Sequence, residues 1–154
     1  MRKKVNQIRD VNIIEEELKS FKAGILAYND ANEKVNQLVT SFLYENKNIY
    51  LVFDENDEAY ESIKADTTVS FSAFRPLSSP EENSTGYAYK YFSVRFSGTV
   101  KKSEDAKLLE DLARSYGLKY YGSTLPENEL DLSGKKIIIL DTEEIQASEI
   151  TGGF

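Results

Sequence analysis

The fold is decided by one stretch, Val35-Asn36-Gln37-Leu38-Val39-Thr40-Ser41-Phe42-Leu43-Tyr44, then Glu45-Asn46-Lys47-Asn48, then Ile49-Tyr50-Leu51-Val52-Phe53. The first run, Val35–Tyr44, carries the β-branched and aromatic residues that suit a pleated surface. The polar four residues after it predict a turn. The last run is apolar at every position, so it has no face to give to water and reads as a strand buried on both sides.

Working upstream, Gly24–Asn29 reads as a strand that forms a hairpin with Val35–Tyr44 across Asp30-Ala31-Asn32-Glu33. A helix precedes it, beginning near Asn12. Asn12 and Glu15 have the spacing of a capping box, and Val11, Ile14, Leu18 and Phe21 fall on one helical face. Glu15, Glu16 and Glu17 then occupy the first turn, where the helix dipole favours acids.

Working downstream, Asp57–Ala65 predicts a short helix with Tyr60 and Ile63 on one face. Thr68–Arg75 alternates Val69, Phe71 and Ala73 with Ser70 and Ser72, and Pro76 is expected to end that strand. Pro76–Gly86 reads as a loop. Tyr87–Lys101 is a long strand with Phe92, Val94, Phe96 and Val100 on one face. Tyr87, Tyr89, Tyr91, Ser93, Arg95, Ser97 and Thr99 lie on the other. Ser103 is the expected N-cap of a helix that Gly117 stops. Leu118–Gly134 reads as irregular, and Lys135–Leu140 and Ile145–Ile150 as one bent strand or two. The result is a mainly β chain, an antiparallel barrel with peripheral helices, in a single domain over residues 1–154.

Composition narrows the chemistry. Among the 154 residues there is no Cys and no His, and the one Met is Met1. Thiolate nucleophiles, zinc–thiolate sites and iron–sulfur clusters are excluded, as is a Ser-His-Asp mechanism. What remains is carboxylates, Tyr, Lys, or a cofactor from outside. Twenty-six acids against nineteen bases give a net charge of −7, which repels a phosphate backbone, so no nucleic-acid partner is expected. No apolar run reaches the roughly 20 residues of a membrane span, and the amino terminus lacks an apolar leader, so a cytoplasmic location is expected.

Certain runs in this order have a familiar arrangement: Ala23-Gly24-Ile25-Leu26-Ala27, Val39-Thr40-Ser41-Phe42-Leu43-Tyr44, Asn48-Ile49-Tyr50-Leu51, Tyr60-Glu61-Ser62-Ile63-Lys64 before Thr68-Val69-Ser70-Phe71, and Tyr91–Val100 with its Gly98. Together they resemble the pyridoxamine 5′-phosphate oxidase-like family, the FMN-binding split barrels, over roughly Ile13 to Ile150. The resemblance implies a homodimer with FMN at the subunit interface and a flavin-dependent oxidoreductase activity. It puts Val39, Thr40 and Ser41 against the flavin ring. It also implies a basic phosphate clamp at the start of the short helix, between Phe53 and Tyr60.

The clamp departs from the family. Its Arg and Lys positions fall on Glu55, Glu58 and Ala59. Losing two charge-assisted hydrogen bonds costs about 3–6 kcal/mol, and an acid about 4 Å from a phosphate adds repulsion. Arg75 and Lys90, at the loop end of one hairpin and on the apolar parity, are the expected replacements, with Lys64 as a third; pairing with nearby acids is their plainer role. The cofactor-binding set is therefore Val39, Thr40, Ser41, Phe53, Tyr60, Lys64, Arg75 and Lys90. No metal site is expected, since the acids of Asp54–Glu58 suit a helix N-terminus. No side chain stands out as a general acid or base. The alternative to a flavoprotein is a split barrel that has lost FMN and serves as a dimeric binding or structural protein.

Overall fold

In the computed structural model, the description covers residues 2–83, 86–124 and 130–153. Among these residues, nine strands and three helices follow one another as β1 (Lys4–Ile8), α1 (Val11–Ser20), β2 (Gly24–Asn29), β3 (Val35–Thr40), β4 (Leu43–Glu45), β5 (Asn48–Phe53), α2 (Glu58–Ser62), β6 (Thr68–Asn83), β7 (Gly86–Ser103), α3 (Ala106–Tyr121), β8 (Lys136–Asp141) and β9 (Gln146–Gly153). All pairings are antiparallel, in the order β3-β2-β6-β7-β8-β5-β4. The ends of this path, β3 and β4, are neighbours in sequence, so the sheet curls round until its two edges meet without pairing. It is a split antiparallel barrel.

The split has a second seam. β7 pairs with β9 over Ala88–Arg95 and with β8 over Val100–Ser103, so two strands share one of its edges. Gly98 lies between those two stretches. A Cβ there would come within 3.0 Å of the Asp141 carbonyl, so only glycine lets the β8 backbone approach so closely. β1 covers the outer edge of β9, from Lys4 opposite Thr151 to Ile8 opposite Ala147. Nothing in its polar, exposed sequence announced this strand.

The expected strand Val35–Tyr44 is two strands. Phe42, Leu43 and Tyr44 are all buried in succession, which breaks a period-2 pattern, and the chain crosses from one half-barrel to the other at Ser41-Phe42. β6 runs on past Pro76 to Asn83. Proline is tolerated because β2 pairs only with Ser70–Ser72, so beyond there the other edge of β6 needs no donor. Asp10, rather than Asn12, caps α1, accepting from the Asn12 amide at 2.9 Å, and Glu15 instead accepts from the Tyr44 hydroxyl at 3.1 Å. No acid lies in the first turn of α1. α2 ends at Ser62, short of Ala65. α3 is capped by Asp105, with Ser103 closing β7, and it passes through Gly117 to end at left-handed Gly122.

Two apolar layers hold this together. Inside the barrel, Ile49, Leu51, Phe71, Phe96 and Leu140 pack with Phe42, whose ring meets Phe71 edge-on at 5.0 Å. Outside it, Tyr50 and Ile137 pack with Leu109 and Leu112 of α3. The second apolar face of β5 is thus covered by α3 of the same chain.

Candidate functional site

The crossing at Ser41-Phe42 leaves backbone groups without ladder partners, and the end of α3 supplies them. The Phe42 amide donates to the Tyr120 hydroxyl at 3.1 Å, and that hydroxyl donates to the Lys22 carbonyl at 2.7 Å. The Phe42 carbonyl accepts from Lys119 Nζ at 2.7 Å, whose ammonium also lies 4.1 Å from the centre of the Phe42 ring. Burial, with Lys22 adding repulsion, pulls the Lys119 pKa down to about 8. These contacts pin the C-terminal half of α3 over β5.

Between α3 and β5 lies a cavity of about 590 Å³, lined mainly by apolar side chains. Ser41, Val52, Leu109, Tyr116, Leu132 and Lys135 form its walls. Tyr116 stacks on Tyr120 at 5.4 Å and 17°. Its hydroxyl is buried and has no hydrogen-bond partner among the described residues. Burial pushes its pKa up to about 12, only partly offset by the nearby Ser41 side chain and Val52 backbone. A pocket of this size, apolar with a few convergent polar groups, is the ordinary form of a small-molecule site.

The residues expected from sequence are spread over three places. Val39 (71% exposed) and Ser41 face outward at the barrel's open edge, with Thr40 half-buried between them. Phe53 and Tyr60 are buried in the core, their rings 5.6 Å apart. Lys102 and Lys136 lie over the Tyr60 ring at 4.0 and 5.2 Å. Arg75 faces the barrel end that α1 covers, where it grips Glu17 with two hydrogen bonds of 2.6 and 2.5 Å. Lys90 lies 3.5 Å from Glu149 on β9, and Lys64 is exposed beyond α2. Arg75 and Lys90 are absent from the wall around Ser41. The side chains of Tyr87, Glu81 and Glu82 lie outside the described residues.

At the start of α2, Asp57 caps the helix by accepting from Ala59 N at 2.9 Å. The surrounding acids meet cations from the start of β8: Lys135 pairs with Asp54, and Lys136 lies 3.6 Å from both Glu61 and Glu104. A Cβ on Gly134 would fall 2.6 Å from the Glu55 carboxylate, so that acid is held close to β8 as well. The start of α2 is thus acidic, with Asp54 and Glu61 met by cations from the start of β8. Among the described residues, no three His, Cys, Asp or Glu side chains are grouped to hold a metal ion.

Sequence reading missed Val52, Tyr116, Lys119, Tyr120 and Lys135. Tyr116 lay one residue before the expected helix stop at Gly117 with no sign of a polar role, and Lys135 appeared only as the first residue of an expected strand.

This is the architecture of the split barrels. The pyridoxamine 5′-phosphate oxidase family matches residues 13–149, and the chain belongs to that family. Comparison with curated protein sequences finds no match. Solved structures share the fold at low identity. A Bacteroides thetaiotaomicron protein provisionally named for 5-nitroimidazole antibiotic resistance is 16% identical, covering 98% of this chain and 90% of its own, with a TM-score of 0.81. The FAD binding protein from Mycobacterium smegmatis is 14% identical, with coverage of 96% and 100% and a TM-score of 0.68. The flavocytochrome Anf3 from Azotobacter vinelandii is 10% identical, with coverage of 92% and 67% and a TM-score of 0.72.

Proposed function

We propose that the chain is a flavin-binding split-barrel protein of the oxidoreductase type, acting as a cytoplasmic homodimer. The observation that carries this reading is the outward presentation of Val39 and Ser41, with Thr40 half-buried between them, at the barrel's open edge in a chain of this family. Structural relatives described as flavin-binding add support. A bound flavin would supply electron transfer. The chain's own groups would orient the ring through the hydroxyls of Thr40 and Ser41 and exclude water with Val39.

The phosphate sets the finer reading. With Glu55 and Glu58 where cations are expected, and Arg75 and Lys90 paired to Glu17 and Glu149, the phosphate gains little. Riboflavin and FMN are therefore expected to bind within about tenfold of each other, where two full charge-assisted bonds would separate them by two decades or more. Fluorescence quenching titrations with both flavins test this. A hundredfold preference for FMN would restore a phosphate clamp, with Arg75, Lys90 and Lys64 as the residues to replace. Failure of both flavins to bind at millimolar concentration would favour the alternative, a dimeric barrel without flavin, which the acids at the start of α2 already favour.

A further inference from the structure

We propose that the cavity bounded by the end of α1, by β4 and by the last turns of α3 is a binding site for a soluble phosphate monoester, held by Lys19, Lys22 and Lys119. The cavity holds about 620 Å³ and carries these three lysines in its wall. It shares no lining residue with the cavity beside Ser41, and none with the cofactor-binding set read from the sequence. Lys22 Nζ donates to the Lys119 carbonyl, and Lys119 Nζ to the Phe42 carbonyl at 2.7 Å. These bonds hold both ammoniums beside the Tyr120 ring, 5.2 and 5.3 Å from its centre. Like charges so placed repel, and Lys22 adds to burial in lowering the Lys119 pKa. No carboxylate answers them. Arg75, Lys90, Lys135 and Lys136 all meet acids, yet among the described residues none of these three lysines forms an ion pair.

The charge arrangement selects a compact dianion. An ammonium has three donors, and Lys22 and Lys119 each spend one on a backbone carbonyl, so each keeps two for a ligand. Ammonium groups act as point charges on a tetrahedral phosphate, whereas a planar carboxylate is matched best by the arginine fork, and no arginine lines this cavity among the described residues. A dianion between the two ammoniums replaces their repulsion with two attractions. Lys19, exposed in the last turn of α1, adds a third. Phosphate alone fills only a small part of the cavity, which leaves room for an organic body against Leu43 and Leu118. Glu45, an acid in the same wall, opposes the anion and limits its affinity.

Titration of the full chain with 1-naphthyl phosphate, followed by fluorescence and calorimetry, tests this. The expected result is saturable binding at one site per chain, with the neutral analogue 1-naphthol about a hundredfold weaker. Lys22→Met and Lys119→Met are each expected to weaken the phosphate about tenfold, the effect of one charge-assisted hydrogen bond, and Lys19→Met about threefold. Glu45→Gln should tighten it about threefold by removing a like charge. Lys101→Met, which removes an equal charge from an exposed position on β7, should change nothing. Lys119 also holds the strand crossing, so Lys22→Met and Glu45→Gln carry the test should Lys119→Met fail to fold. Absence of saturable binding would overturn the proposal, as would binding that Lys22→Met and Lys101→Met weaken alike. Displacement by riboflavin, which has no phosphate, would also overturn it, since the site would then be part of the flavin surface. So would pelleting with phosphatidate vesicles by a chain that ignores the soluble ester, which would give the lysines to a membrane surface. Binding by a chain that takes up no riboflavin would support it, so this proposal and the flavin reading fail separately.

Discussion

Single residues fix the barrel where its backbone comes closest to itself. At Gly24 the Phe71 ring occupies the space of a side chain, with Cζ 2.1 Å from where a Cβ would stand. Phe71 is fully buried and has nowhere to go, so Gly24→Ala is expected to cost about 1–3 kcal/mol in denaturant unfolding. Tyr120→Phe strips the partner from the Phe42 amide at the strand crossing and should cost about 1–3 kcal/mol, more than a surface hydroxyl would. Lys119 supplies a pH signature. Its pKa of about 8 in the folded chain lies below its ordinary 10.5, so above pH 8 the unfolded chain binds more protons than the folded one. Stability should therefore rise with pH from 8 towards 10, where ionising tyrosines begin to oppose it. Unfolding curves across that range check this, and Lys119→Met should flatten the rise.

Among the elements, α3 departs most from its local signals. Ser103 and Gly117 look like its ends, yet Asp105 accepts from the Lys107 and Leu108 amides, and Gly117 is an interior residue. A Cβ at Gly117 would fall 2.6 Å from the Ser123 carbonyl, because the chain folds back there after the cap at Gly122. The glycine serves a close approach and not a stop. Thermal unfolding should accordingly show Asp105→Ala costing about 1 kcal/mol, with Ser103→Ala clearly less; equal losses would return the cap to Ser103. The inner face of β7 was legible from its period-2 alternation and β5 from its unbroken apolar run, signals carried by residues only a few positions apart. β1 was not, since its five residues are nearly all exposed and hold their place through pairing with β9.

In the whole molecule, two apolar surfaces lie outside the barrel, and the chain itself covers one of them. The outer face of β5 lies beneath α3. The other remains open: Phe74, 61% exposed, meets Tyr91 at 6.4 Å, and Tyr91 stacks on Tyr89 at 6.0 Å on the outside of β6 and β7. The proposed homodimer would bury this patch, together with Val35 (68% exposed) and Val39 (71% exposed) at the β3 edge. Sedimentation at micromolar concentration should find a dimer, and the pair Phe74→Asp with Tyr89→Asp should yield a folded monomer. A wild-type monomer would remove the dimer from the account. No helix among the described residues is long and apolar enough to cross a membrane.

The sequence by itself determined the antiparallel barrel, the family, the acidic start of α2 and the exclusion of thiol and imidazole chemistry. Each rests on residue types or on periods of two to four residues, which act locally. Only the tertiary structure decided which cations were already engaged and where a cavity opened. Arg75 is 58 positions from Glu17, and the Tyr120 hydroxyl is 98 positions from the Lys22 carbonyl it bonds. Such pairs form because the folded sheet brings α1 and α3 against distant strands, and no local pattern encodes that meeting. The burial of the Tyr116 hydroxyl follows from the same cause, since burial is a property of the packed chain alone.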